Sequence, residues 1–96
     1  MDLQLKGKRA LVTGSTAGIG WAIARELAAE GTCVVVNGRN AARLAIAARR
    51  IRAEVRGADV EVVQADLSSA EGCQQLIGAA EEVDIRVDGG VVRSLI

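Results

Sequence analysis

A glycine-rich loop near the start of the sequence has residue types and spacing suited to binding phosphate. The loop reads Thr13-Gly14-Ser15-Thr16-Ala17-Gly18-Ile19-Gly20 and follows a short apolar run. The first backbone N–H groups of a helix lie at its positive end without an acceptor in the helix, so they attract anions. Glycine lets a diphosphate approach the backbone, since no side chain holds it away. The loop therefore predicts dinucleotide binding, and an ordinary tight turn is the alternative.

The loop lies between a predicted strand and a predicted helix, and this alternation continues along the chain. Short β-branched runs predict strands over residues 8–13, 33–36, 60–65 and 83–87. Helical spacing predicts helices over residues 18–30, from the N-cap Asn40 to Gly57, and from a capping box at residues 68–71. Such crossovers imply a parallel sheet, with the first two helices on one face and the third on the other. We expect an α/β chain: a partial Rossmann fold with a three- to four-stranded parallel sheet and about three helices.

The apolar stripe of each predicted helix indicates the face that packs on the sheet. In chain order the stripes are Ile19, Ile23 and Leu27; Leu44, Ala48, Ile51 and Val55; and Cys73, Leu76, Ile77 and Ala80. Gly31 and Gly57 are placed to end the first two helices. Because one helix alone covers the second face, apolar surface remains there, and we expect self-association through this uncovered sheet face.

Composition and charge argue against several classes of partner. Twelve basic and twelve acidic residues give a formal charge of zero, which predicts no general attraction to nucleic acid or to an anionic membrane. The two cysteines, Cys33 and Cys73, lie in apolar patterns, which is typical of reduced core thiols in a cytoplasmic protein. The sequence has no histidine and no paired-cysteine spacing, so we expect no metal site.

The second predicted helix is rich in arginine, which leaves a nucleic-acid binder as an alternative. Its basic residues are Arg43, Arg49, Arg50, Arg52 and Arg56. Glu54 can pair with Arg50 one turn away, and the chain offers one aromatic residue, Trp21, for which we expect partial packing. A solvated helix face near a phosphate-binding site is sufficient to explain the arginines, so we expect no nucleic-acid partner.

Four motifs in order resemble the short-chain dehydrogenase/reductase family. Thr13–Gly20 matches the family's TGxxxGxG loop, and the likeness continues through residues 37–39, 65–67 and 82–85. It covers residues 1 to about 85. The resemblance implies an oxidoreductase fold that binds a nicotinamide dinucleotide. The cofactor-binding residues that it implies are Gly14, Ser15, Thr16, Gly18, Ile19, Gly20, Asn37, Gly38, Arg39, Asp66 and Leu67.

The end of the second predicted strand bears on the choice between NADP and NAD. Family members that prefer NAD carry an aspartate where this chain has Gly38, and no acidic residue occurs between Thr32 and Glu54. Arg39 follows, and a guanidinium can make a forked contact with a 2′-phosphate, worth roughly ten- to a hundredfold in affinity. We expect the cofactor to be NADP(H). The alternative is that Arg39 is a solvated turn residue with no role in cofactor choice. Asp66 resembles the family's adenine acceptor, or is a simple loop or cap residue.

The family's catalytic residues have no counterpart in this sequence. Family members use a Tyr-x-x-x-Lys pair with a nearby serine, whereas this chain has no tyrosine, and its lysines, Lys6 and Lys8, precede the first predicted strand. The absence of histidine removes the usual neutral-pH proton carrier. We therefore expect no catalytic residues in this chain.

Residues 86–96 resemble the far C-terminal segment of the same family, where a strand runs into Val-Asp-Gly-Gly. The chain is thus interpreted as a dinucleotide-binding half over residues 1–85, joined to a tail segment over 86–96, with the family's middle absent. The predicted function is the NADP(H)-binding portion of such an oxidoreductase, without hydride transfer. The alternatives are part of an intact enzyme acting on a carbonyl or alcohol substrate and, more distantly, a non-enzymatic interaction module.

Overall fold

Four strands and three helices alternate along the chain. The computed structural model describes residues 5–66 and 68–88. The elements are β1 Arg9–Thr13, α1 Gly18–Ala29, β2 Cys33–Gly38, α2 Ala41–Glu54, β3 Val60–Gln64, α3 Ala70–Glu81 and β4 Ile85–Asp88. None of these helices combines the length and the hydropathy needed to cross a membrane.

The strands form one parallel sheet in the order β3-β2-β1-β4. This arrangement confirms the predicted α/β class and the partial Rossmann fold. The carboxyl ends of β1, β2 and β3 therefore meet along one edge, beside the glycine loop. β4 pairs with β1 from Ile85 to Asp88, so the strand continues past the predicted boundary at residue 85. The rest of the predicted tail segment, residues 89–96, lies outside the described residues.

One face of the sheet carries the main core, beneath α1 and α2. Val12, Val34 and Val36 are fully buried there and pack against helix residues that include Ala24 and Ile51. The predicted inner stripe of α2 is confirmed: its residues 44, 48 and 51 are buried and Val55 packs at the margin. Asn40 caps α2 as predicted, accepting a hydrogen bond from the Arg43 amide at 3.0 Å.

The predicted inner stripe of α1 is only partly confirmed, because Ile23 and Leu27 pack against the core and Ile19 does not. The buried residues of this helix are Gly20, Ala24 and Ala28, whereas Ile19 is 63% exposed. A Cβ atom on Gly20 would lie 2.5 Å from the Gly14 carbonyl oxygen, so the helix begins too close to its own loop for a large side chain. The larger residues, Ile23 and Leu27, instead pack at the edge of the core.

The arginine-rich side of α2 is held by contacts with its neighbours. The predicted Glu54–Arg50 pair is absent from the described contacts, since Glu54 accepts from Arg25 Nε at 2.9 Å. Arg50 lies over the Trp21 ring, 4.2 Å from its centroid. Trp21 in turn donates from Nε1 to the Ala47 carbonyl at 3.1 Å, which fits its predicted partial packing. Arg25 and Trp21 therefore join α1 to α2.

The start of α3 lies one residue later than the predicted capping box. Ser69, not Ser68, is the N-cap, and its hydroxyl accepts from the Gly72 amide at 2.9 Å. The Ser68 hydroxyl instead donates to Asp66 Oδ1 at 2.7 Å.

The second face of the sheet is only loosely covered by α3. Within this helix only Gly72 is buried. The predicted inner residues of α3 border an open apolar groove of about 430 Å³ rather than filling it, and Ile77 is 58% exposed. The predicted uncovered surface therefore lies between α3, β1 and β4.

Candidate functional site

The glycine loop turns sharply from the end of β1 into α1. Gly14 and Gly18 adopt φ angles of 58° and 63°, in the left-handed region that favours glycine. Gly20 packs directly on the Gly14 carbonyl, as described above. The loop is therefore short and tightly folded, and the first turn of α1 lies immediately beside it.

The N-terminus of α1 differs from those of the other two helices. Its N-cap is Ala17, which offers no side-chain hydrogen bond, and its first turn contains no acidic residue. α2 and α3 are instead capped by Asn40 and Ser69. The first amides of α1 thus meet no side-chain acceptor among the described residues, and they retain their capacity to bind an anion.

Asn37 and Ser15 are buried beneath the loop, where they fix it to the sheet. Asn37 Oδ1 accepts from the Gly14 amide at 3.2 Å, and Nδ2 donates to the Val63 carbonyl at 3.1 Å. The Ser15 hydroxyl donates to the Val12 carbonyl at 2.6 Å and accepts from the Asn37 amide at 2.8 Å. Both residues were predicted to contact cofactor, and in this structure their side chains bond backbone groups around the loop. A polar residue directly after three buried valines was the sequence signal for this role.

A polar cleft of about 370 Å³ lies at the carboxyl ends of β1, β2 and β3. It brings together residues that are far apart in sequence: Gly14, Thr16, Asn37, Gly38, Arg39, Ala65, Asp66 and Ser68. Six of these were predicted as site residues, whereas Ala65 and Ser68 were not. The predicted residues Gly18, Ile19 and Gly20 belong to the adjoining helix start. Leu67, also predicted, lies outside the described residues.

A second polar cleft of about 330 Å³ adjoins the first and shares Arg39, Ala65 and Asp66 with it. Its further residues were missed by the sequence analysis: Gln64, Ser69, Glu71, Gly72 and Gln75. Gln64 Nε2 donates to the Arg39 carbonyl at 3.2 Å, which ties the segment after β2 to the end of β3. Ser69 and Glu71 were predicted only as part of a helix-capping motif, and the other three carried no motif, so only their position in the fold associates these residues with the site.

Opposite charges stand at the cleft. Hydrogen bonds from the Ser68 side chain and backbone, with a smaller contribution from the charge of Arg39, lower the pKa of the Asp66 carboxyl. Asp66 is therefore ionised at neutral pH, with Oδ1 accepting from the Ser68 amide at 2.9 Å. Gly38, which precedes Arg39, is buried. A Cβ atom on Gly38 would collide with Thr16 Cγ2.

The residues at this edge fit a phosphorylated dinucleotide. Amides at the start of α1 can receive a diphosphate, the Arg39 guanidinium can pair with a further phosphate, and Asp66 supplies an acceptor. Within the described ranges, no group of three or more His, Cys, Asp or Glu side chains is arranged to hold a metal ion.

Comparisons with known proteins agree with this architecture. A family model described as short chain dehydrogenase matches residues 8–92. The uncharacterised oxidoreductase YvaG of Bacillus subtilis is 44% identical over 88 residues, and the 3-oxoacyl-[acyl-carrier-protein] reductase FabG of Aquifex aeolicus is 40% identical over 89 residues. These alignments cover 92% and 93% of this chain but 33% and 34% of the relatives.

A solved structure shares the fold. L-Sorbose reductase from Gluconobacter frateurii, complexed with NADPH and L-sorbose, superposes with a TM-score of 0.79 at 36% identity. The match covers 90% of this chain and 34% of that one. The chain therefore spans about a third of the length of the relatives that it matches.

Proposed function

The chain belongs to the short chain dehydrogenase family, whose members use a nicotinamide dinucleotide, and on that premise we propose that it binds NADP(H). The diphosphate binds at the start of α1, and the 2′-phosphate of the adenosine ribose pairs with Arg39. Asp66 lies beside the adenine, and the family resemblance assigns Leu67 to the same contact. The chain itself, with 96 residues, does not carry out hydride transfer.

The observation that carries this proposal is the combination of charges and free backbone at the carboxyl edge. The start of α1 has neither a side-chain cap nor an acidic residue, and the exposed Arg39 borders the same cleft as Gly14. Because Gly38 stands at the end of β2, no acidic side chain is there to accept hydrogen bonds from the ribose hydroxyls or to repel a 2′-phosphate.

The proposed lack of turnover follows from side-chain chemistry. The sequence contains neither tyrosine nor histidine, so it offers no counterpart of the family's proton-transferring tyrosine. The alternative is that these residues form the cofactor-binding part of a longer oxidoreductase acting on a carbonyl or alcohol. Mass spectrometry of the protein from its native source distinguishes the two, because the alternative requires a longer polypeptide.

We predict that Arg39→Ala weakens binding of NADP⁺ and of adenosine 2′,5′-bisphosphate about tenfold, since one exposed charge-assisted contact is lost. NAD⁺ has no 2′-phosphate, so its affinity stays nearly unchanged. Isothermal titration calorimetry with the three ligands measures the effect. Arg56→Ala is the matched control, because it removes the same charge from an exposed position beyond the end of α2.

Equal weakening of NADP⁺ and NAD⁺ by Arg39→Ala would contradict the cofactor preference. If neither ligand bound at millimolar concentration, the dinucleotide site itself would be refuted, and a non-enzymatic interaction module would become the better interpretation.

A cytoplasmic location belongs to the same proposal, because it keeps Cys33 and Cys73 reduced.

A further inference from the structure

The connection between β2 and α2 is short and is held at both ends. A single residue, Arg39, separates the end of β2 at Gly38 from the N-cap of α2, Asn40. The Gly38 carbonyl accepts from the Ala65 amide at 3.1 Å, which joins this end of the connection to the segment after β3. At the other end, the Asn40 side chain accepts from the Arg43 amide at 3.0 Å. Arg39 therefore lies between two fixed points of the backbone.

Gln64 holds the backbone of Arg39 itself. It is the last residue of β3 and the register partner of Gly38. Its Nε2 group donates to the Arg39 carbonyl at 3.2 Å, and a side-chain amide is the same kind of donor as a backbone amide. In the opposite direction, Asn37 Nδ2 donates to the Val63 carbonyl at 3.1 Å. Two side-chain amides thus supplement the pairing of β2 with β3 at the edge where the polar cleft lies.

The side chain of Arg39, in contrast, is exposed beside both polar clefts. None of the ion pairs in the described part of the chain involves it. The placement of the guanidinium therefore depends on the backbone that carries it. A forked contact with a phosphate needs a defined geometry, and a backbone that must be ordered during binding lowers affinity.

We propose that Gln64 is a positioning residue for Arg39 and thereby sets how strongly the chain prefers a dinucleotide with a 2′-phosphate. The inference rests on the proposed NADP(H) binding and deepens it. Gln64 acts without touching the cofactor, because its amide fixes the Arg39 backbone before binding. Its effect is confined to ligands with a 2′-phosphate, since only these pair with the guanidinium.

Gln64→Met tests this role, because it keeps the length of the side chain and removes the amide donor. We expect NADP⁺ and adenosine 2′,5′-bisphosphate to bind about three- to tenfold more weakly, the loss typical of one neutral hydrogen bond, and NAD⁺ to bind nearly as before. Isothermal titration calorimetry measures all three ligands. Gln74→Met is the matched control, since Gln74 is exposed on α3 and borders neither polar cleft.

A double-mutant cycle with Arg39→Ala separates positioning from direct contact with the ligand. In the Arg39→Ala background, Gln64→Met should leave the affinity for NADP⁺ nearly unchanged, because no guanidinium remains to be positioned. An equal loss of NADP⁺ affinity in both backgrounds would overturn the proposal. So would a loss that NAD⁺ shares.

The backbone of the ligand-free protein gives a second readout. ¹⁵N relaxation should show lower order parameters for the Arg39 and Asn40 amides in Gln64→Met than in wild type, whereas Gln74→Met should match wild type. Unchanged order parameters would contradict the positioning role. If wild type bound no dinucleotide, the proposed function would fail as a whole. A loss of NADP⁺ affinity in Arg39→Ala without a loss in Gln64→Met would instead refute the role of Gln64 alone.

Discussion

At the scale of single residues, two buried polar side chains determine the shape of the glycine loop. Asn37 is 2% exposed and Ser15 is fully buried, and both engage backbone groups. No buried side-chain polar atom among the described residues lacks a partner. Because an unsatisfied buried group costs about 1–3 kcal/mol, these hydrogen bonds hold the loop in one conformation. The cofactor edge is therefore formed in advance of binding.

The thiol of Cys33 lies in an acidic environment at the opposite end of β2. Its Sγ donates to Glu61 Oε2 at 3.3 Å, and Glu61 also pairs with Arg9. Partial burial, together with the hydrogen bond to Glu61, raises the pKa of the Cys33 thiol from 9.0 to about 12. The folded protein thus keeps this thiol protonated where an unfolded chain would ionise it. Stability from this group is full below pH 9 and declines as pH rises toward 12.

We predict that alkylation of Cys33, measured in a Cys73→Ser variant, keeps accelerating between about pH 8 and pH 10. The reactive thiolate remains a minor species throughout this range because the folded-state pKa is raised. Iodoacetamide kinetics followed by mass spectrometry give the rates. In denaturant, the same variant should level off near the ordinary thiol pKa. A plateau at that pH in the folded protein would contradict the prediction.

At the scale of elements, small side chains determine how closely α1 approaches the sheet. Gly20, Ala24 and Ala28 form its buried face, so the helix axis can lie close to β1 and β2. This close approach also places the uncapped helix start directly above the ends of those strands. Packing and the proposed anion binding therefore depend on the same choice of small residues.

The start of α3 depends on a turn built around Asp66. Its carbonyl accepts from the Ser69 amide at 3.1 Å and from the Ser69 hydroxyl at 3.0 Å. Gly72 packs so closely on the Asp66 backbone that a Cβ atom would collide with it. The first turn of α3 is therefore attached to the segment that borders the polar cleft.

We predict that Ser69→Ala lowers the free energy of unfolding by about 1 kcal/mol, since the helix loses its N-cap. Ser68→Ala, the matched neighbour, should change stability much less because its hydroxyl serves only the exposed Asp66 carboxylate. Urea unfolding followed by circular dichroism compares the two variants. A larger loss for Ser68→Ala would instead support the predicted capping box.

At the scale of the whole molecule, the sheet is well covered on one face and poorly covered on the other. The core beneath α1 and α2 is continuous, whereas α3 leaves an apolar groove beside β4. The relatives are about three times as long as the matched region. The groove is therefore the surface through which we propose that the chain self-associates.

We predict that the thermal midpoint of wild type rises by about 3–4 °C for each tenfold increase in protein concentration, because dimerisation stabilises only the folded chain. Differential scanning calorimetry over a series of protein concentrations measures the midpoint. A wild-type midpoint that does not depend on concentration would argue against a folded dimer.

The sequence alone determined the alternation of strands and helices and the family resemblance. Gly14, Gly18, Gly31 and Asn40 act through local backbone geometry, which a single segment encodes completely. Periodic apolar residues likewise identified α2 and its inner face. These features depend on neighbours in sequence, so they could be predicted without a tertiary structure.

Only the tertiary structure decided which side chains face the cleft and which lie beneath it. Asn37 and Arg39 are two residues apart, yet one is buried under the loop and the other is exposed. The inner face of α1 was predicted only in part and the cap of α3 was mispredicted, because competing contacts, from Gly14 and from Asp66, come from outside each helix. Such contacts depend on how elements pack, and spacing within one segment does not contain that information.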